Sequence, residues 1–98
     1  MTLRLLIGML LLSCGTALLA AELRLYTEDY RPMSFIDKGE LTGMAVEVVE
    51  LLVQRTGQET RIELVPWTRG YQQVQHEANS GLFSTVRTAK RDPLFQWV

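Results

Sequence analysis

The stretch GMAVEVVELLVQRTGQETRIELVP, residues 43–66, joins the clearest predicted helix of the chain to a predicted strand. Apolar side chains recur over 43–56 at the i, i+3, i+4 and i+7 spacing of one helix face. They are Ala45, Val48, Val49 and Leu52. Gly57 is the residue type that commonly ends a helix. Further apolar side chains widen this face and indicate cover on more than one side: Met44, Val46, Leu51 and Val53.

Upstream of this helix, residues 23–26 alternate apolar and polar, as a half-buried strand does. Residues 34–36 and 40–42 then flank the sequence Asp37-Lys38-Gly39. This arrangement predicts a small hairpin in which Gly39 supplies a positive φ.

Downstream, residues 61–65 alternate again and Pro66 stops the strand. Thr68 is expected to cap a second helix that runs to about Ala78, and residues 82–86 are expected to form a third strand. Strands that alternate with helices predict the α/β class, with a mainly parallel sheet flanked by helices.

The overall composition suits a single small domain. The chain has 98 residues, a formal net charge of −1 and 47% hydrophobic residues, which suits one domain. No basic excess is present, so a nucleic-acid partner is not expected. His76 has no partner at metal-ligand spacing, and we expect neither a metal nor a cofactor.

Residues 1–21 have the pattern of a secretory signal peptide. One early charge, Arg4, precedes an apolar run over 5–12, and small residues end the segment at Ala20 and Ala21. A lipoprotein signal with Cys14 as the modified residue is the less favoured alternative. Cys14 is the only cysteine, so its removal would leave a chain without disulfides. We therefore expect a periplasmic protein.

Three segments follow predicted strand ends, at 27–32, 66–69 and 84–91. Ligands of open α/β sheets bind beyond the carboxyl ends of the strands, so these loops should meet at one edge. They contribute the candidate ligand-binding residues Tyr30, Trp67, Ser84 and Arg91. Aromatic walls, a hydroxyl and a guanidinium suit a small carboxylate or zwitterion.

Each candidate also has a simpler structural interpretation. Arg91 could be a solvated turn arginine or the ion-pair partner of Asp92. Tyr30 could pack over the hairpin, and Trp67 could cover an edge of the core. The Ser84 hydroxyl could satisfy a loop N–H group.

Four motifs, in order behind the leader, carry a resemblance to a known family. They are LYTEDYRPMSF at 25–35, GELTGMAVE at 39–47, VPWTRGY at 65–71 and LFSTVRTAKR at 82–91, followed by FQWV at 95–98. Together they resemble the N-terminal part of the periplasmic solute-binding proteins of family 3, the polar amino acid receptors of ABC transporters. The resemblance covers essentially all of the chain after the leader.

This resemblance implies a binding protein without catalysis, which docks on a membrane ABC permease. Tyr30 and Trp67 match positions whose rings sandwich the ligand, and Ser84 matches a polar contact. Arg91 matches the arginine that holds the α-carboxylate. Val86 stands where the family usually has another hydroxyl, which removes one donor.

The family also implies two lobes joined by crossover strands. By this resemblance, residues 22–98 are expected to be a partial solute-binding domain, the first lobe truncated before the crossover to the second. The second lobe normally covers part of the ligand, so weak or undetectable binding is expected of this chain alone.

Two alternatives come from other functional classes. Relatives of the same fold include exported dehydratases and peptidoglycan-cleaving enzymes, which need an acid or base in the cleft. Glu28, Asp29 and Asp92 are the only acids expected near the edge, and none has an evident partner in the sequence. The other alternative is a sensory input module of a membrane kinase.

Overall fold

The structure is a computed structural model that describes residues 22–98. The predicted signal peptide and Cys14 lie outside the described residues. The elements in chain order are β1 (Leu23–Thr27), β2 (Phe35–Asp37), β3 (Glu40–Thr42), α1 (Met44–Thr56), β4 (Thr60–Leu64), α2 (Trp67–His76), β5 (Ser80–Leu82) and a 3₁₀ turn (Asp92–Leu94).

Strand β1 is the centre of a three-stranded parallel sheet with the order β4–β1–β5. Leu25 pairs with Ile62 on one side and with Gly81 on the other. Strands β2 and β3 form a separate antiparallel hairpin, with Lys38 and Gly39 both at positive φ in its turn. The predicted α/β class, with a parallel sheet flanked by helices, is confirmed.

The third strand of the sheet is β5, which ends two residues after Ser80, whereas the sequence pattern placed it over 82–86. Ser84 has a φ of 61°, which takes the backbone out of the extended region just beyond this strand. The chain therefore leaves the sheet at Phe83, and residues 84–91 run as a loop.

Helix α1 has the predicted ends, with Gly43 at the N-cap and Gly57 in the left-handed conformation after the last turn. Its burial agrees with the predicted face only in part. Val46 is 1% exposed, whereas Val48 is 60% and Leu52 is 55% exposed. Val46 is the one buried residue of this helix, Ala45 and Val49 are half-buried, and the helix contacts β3 of the hairpin.

Helix α2 packs closely on the sheet at Gly70, which is buried and has no side chain. A Cβ atom at Gly70 would lie 3.1 Å from side-chain atoms of both Val65 and Leu82. The prediction that Thr68 caps this helix is wrong. Pro66 occupies the N-cap, its carbonyl accepts a hydrogen bond from the Gly70 N–H, and no side chain caps the helix.

Tyr26 links the sheet to the end of α2. Its side chain is 3% exposed, and its hydroxyl donates to both carboxylate oxygens of Glu77, at 2.9 and 3.1 Å. Arg24 lies 3.6 Å from the same carboxylate. Burial, together with the hydrogen bond and the negative charge of Glu77, raises the pKa of Tyr26 above 10.0.

Substitution Tyr26→Phe is expected to lower the free energy of unfolding by about 1.5–3 kcal/mol at neutral pH, since the hydroxyl no longer donates to the Glu77 carboxylate. Because the folded state raises the pKa of Tyr26, this stabilisation is complete below pH 10 and is lost as the pH rises through the raised value. Urea unfolding of both proteins from pH 7 to 11 measures this. A difference between them that stayed constant with pH would contradict the prediction.

Among residues 22–98, neither helix has the length and apolar character needed to cross a membrane. The same residues contain no group of three His, Cys, Asp or Glu side chains that could hold a metal ion.

Candidate functional site

The carboxyl ends of β4 and β5 lie on either side of the carboxyl end of β1. The Val65 N–H donates to the Thr27 carbonyl at 2.8 Å, and the Phe83 N–H donates to the Tyr26 carbonyl at 3.0 Å. The loops that follow β1, β4 and β5 therefore begin side by side at one edge of the sheet.

The loop after β1 is anchored by buried polar groups. The Thr27 hydroxyl donates to the Ser34 hydroxyl at 3.0 Å, and both residues are fully buried. Tyr30 and Ser34 exchange two backbone hydrogen bonds, at 2.7 and 2.8 Å. These bonds fix both ends of the loop that carries Tyr30 against the end of β1.

The guanidinium of Arg91 lies over the ring of Trp67, with 4.6 Å from Cζ to the ring centroid. Trp67 is the first residue of α2, and Tyr71, one turn later, stacks on it at 4.7 Å with 20° between the ring planes. Arg91 is also 5.7 Å from the Tyr71 ring. The two rings together provide an aromatic support for the cation.

Backbone bonds hold the turn that carries Arg91. The N–H groups of Arg91 and Asp92 both donate to the Thr88 carbonyl, at 3.1 and 2.8 Å. Nη1 of Arg91 donates to the Val86 carbonyl at 3.1 Å. Arg91 occupies the N-cap position of the 3₁₀ turn, and Asp92 is its first residue.

A ladder of four aromatic rings runs from the edge of the sheet into the C-terminal segment. Tyr71 contacts Phe95 edge-on at 5.5 Å, and Phe95 contacts Trp97 edge-on at 5.8 Å. Tyr71 is not among the candidate site residues predicted from the sequence. Its spacing of four residues from Trp67 is the signal that could have found it.

Asp92 pairs with Arg87 and not with Arg91. The distance from Arg87 Nε to Asp92 Oδ1 is 2.5 Å, and the Arg87 guanidinium lies 5.5 Å from the Trp97 ring. Within the described part of the chain, Arg91 has no carboxylate partner. The guanidinium has five N–H donors, and the Val86 carbonyl accepts from only one of its nitrogens.

The structure brings Arg91 and Trp67 into contact, but it does not bring Tyr30 and Ser84 to them. Tyr30 is 57% exposed, and its ring contacts neither Trp67 nor Arg91 among residues 22–98. Ser84 is exposed and its hydroxyl makes no hydrogen bond to the described residues. Both side chains lie at the same edge on neighbouring loops, open to solvent.

Comparison with protein families gives a match to the bacterial extracellular solute-binding proteins, family 3, over residues 23–96. Comparisons with curated proteins and with solved structures gave no match. The matched family has a solute-binding role, and its members are generally extracellular or periplasmic and generally without catalysis. Since the match spans residues 23–96 of the 98 residues, the chain belongs to the family 3 bacterial extracellular solute-binding proteins.

Proposed function

We propose that this chain binds a small carboxylate-bearing solute, such as an amino acid, as part of the periplasmic receptor of an ABC transporter. The observation that carries the proposal is the Arg91 guanidinium, supported by Trp67 and without an acidic partner among the described residues. A planar guanidinium can donate two parallel hydrogen bonds to one carboxylate.

The surroundings of Arg91 favour an anionic group at this point. Contact with the Trp67 and Tyr71 rings and the bond to the Val86 carbonyl restrict the guanidinium, so less side-chain entropy is lost when a ligand binds. The exposed Tyr30 ring and the Ser84 hydroxyl, on the two neighbouring loops, are the groups we assign to the rest of the solute. An ammonium group of the solute would find the Tyr30 ring face accessible.

We further propose that residues 22–98 are part of the first lobe of a two-lobed receptor that is exported by residues 1–21. In that receptor the second lobe closes over the solute by a hinge movement, and the closed form docks on the membrane permease. Because a single lobe covers only one side of the solute, the chain alone is expected to bind in the millimolar range.

Titration of the ¹⁵N-labelled chain with amino acids tests the proposal, because NMR detects millimolar binding. We expect the Arg91 Nε–Hε and Trp67 indole N–H resonances to shift with a dissociation constant of about 1 mM or weaker, which corresponds to about 4 kcal/mol. The matched ligand is the amide of the same amino acid, which lacks the negative charge, and it should leave the Arg91 resonance unchanged.

Equal shifts with the acid and the amide would contradict a carboxylate site at Arg91. Micromolar affinity in calorimetry would contradict the half-site interpretation, because one lobe would then suffice for tight binding.

A further inference from the structure

Asp92 is next to Arg91 in sequence and would be a natural ion-pair partner for it, yet the two side chains are not paired. The carboxylate of Asp92 is held instead by Arg87, at 2.5 Å. Arg91 lies over Trp67 and donates to the Val86 carbonyl. One short segment therefore contains two arginines and one acid, and only one arginine is neutralised.

The assignment of Asp92 to Arg87 is supported by a second residue. The Trp97 indole N–H donates to the Asp92 carbonyl at 3.2 Å, and the Arg87 guanidinium lies 5.5 Å from the Trp97 ring. Arg87 and Arg91 thus contact opposite ends of the aromatic ladder, and the backbone and side chain of Asp92 are both bound at the Trp97 end.

We infer that Arg87 is a positioning residue of the carboxylate site: it holds Asp92 so that this acid does not compete with the solute for Arg91. The inference depends on the proposed function of Arg91. An unpaired carboxylate one residue from the guanidinium would occupy its donors, or at least repel an incoming carboxylate through the Coulomb interaction. The bond to Arg87 removes most of this effect.

Loss of the Arg87–Asp92 pair is expected to change the affinity for a carboxylate only moderately, because the pair is accessible to water. The side chain of Arg87 is 62% and that of Asp92 is 49% exposed, and exposed pairs change an equilibrium by up to about fivefold. The role of Arg87 is therefore to tune the affinity of a site whose main contact is Arg91.

The test measures the dissociation constant for acetate in the wild type, Arg87→Gln, Asp92→Asn and the double variant. Acetate replaces chloride, so the ionic strength stays constant during the titration. Arg87→Gln should raise the dissociation constant about threefold, because Asp92 is released to compete for Arg91. Asp92→Asn should not raise it. The double variant should bind acetate within about twofold of the wild type, because the competing carboxylate is gone.

The double variant separates positioning from a merely structural role. If Arg87 only stabilised the turn, removal of Asp92 could not repair its loss, and the double variant would bind as weakly as Arg87→Gln or more weakly. That result, or an unchanged affinity in Arg87→Gln, would overturn the inference.

A readout without ligand distinguishes this inference from the proposed function. In Arg87→Gln, the Arg91 Nε–Hε resonance should move as Asp92 approaches it, and in the double variant it should return. If acetate does not shift the Arg91 Nε–Hε resonance of the wild type, the proposed function is contradicted. If the Arg91 resonance is the same in the wild type and all three variants, the inference about Arg87 is contradicted and the proposed function is not.

Discussion

Replacement of Gly43 by alanine is expected to lower the free energy of unfolding by about 3 kcal/mol or more, the largest effect among the substitutions considered. Gly43 has φ 128° and ψ 167°, a region that essentially only glycine adopts. A Cβ atom there would lie 2.2 Å from the Met33 carbonyl oxygen and 2.9 Å from the Ser34 nitrogen. Both contacts are backbone atoms, so no side chain can move aside.

The Met33 carbonyl cannot easily yield, because it accepts the Ala45 N–H at 2.9 Å and so joins the loop to the first turn of α1. The Pro32 carbonyl accepts the Met44 N–H next to it, at 3.1 Å. Relief of the clash would break the bonds that attach α1 to the loop carrying Tyr30. We therefore expect the loop that carries Tyr30 to lose order together with the first turn of α1.

Gly57→Ala is the matched control, because Gly57 has a φ of 66° and a Cβ atom would meet nothing within 4 Å. It should cost only about 1–2 kcal/mol, the strain of a left-handed residue without a clash. Urea unfolding followed by circular dichroism compares the two variants. Equal losses would show that conformational strain alone, and not the contact with Met33, decides the requirement for glycine at position 43.

Arg91→Gln is expected to weaken carboxylate binding at least tenfold, the largest functional effect. Hydrogen bonds to a charged group contribute about 1.5–3 kcal/mol, and a glutamine amide loses both the charge and the paired donors. Arg91 is the cation that lies on the Trp67 ring, and no other described residue offers a guanidinium in that place. The NMR titration with the amino acid and its amide measures the change.

Lys90→Gln is the control for this substitution, since Lys90 is exposed, adjacent, and carries the same charge. Both variants change the net charge equally, so a general attraction of anions by the basic turn would weaken both by the same factor. We expect less than a twofold change for Lys90→Gln. Circular dichroism of both variants establishes whether the fold is retained, and equal weakening would reject a specific carboxylate contact.

Local chemistry was sufficient to predict the order of the elements and several of their ends. Alternating side chains marked β1 and β4, and the glycines at 39 and 57 marked a hairpin turn and a helix end, where both are at positive φ. These signals are readable because they depend on residues a few positions apart. For the same reason the parallel sheet, and hence the edge where its loops meet, could be predicted.

The buried face of α1 could not be predicted in this way. Apolar side chains lie on most of its circumference, so the spacing of Ala45, Val48, Val49 and Leu52 was one of several possible stripes. In the structure the helix contacts the hairpin, Val46 is buried, and Val48 and Leu52 are exposed. When several faces of a helix are apolar, the neighbouring element decides which one is covered.

In the candidate site, too, the sequence predicted some features and tertiary contacts decided the others. Residue types and their order placed Arg91, Trp67, Tyr30 and Ser84 on loops of one edge, because parallel strands carry their following loops to the same end. Only the folded chain showed that Arg91 lies on Trp67, that Tyr71 supports both, and that Asp92 pairs with Arg87. An arginine beside an acid has several partners within reach of its long side chain, and the choice among them depends on tertiary contacts that no local pattern encodes.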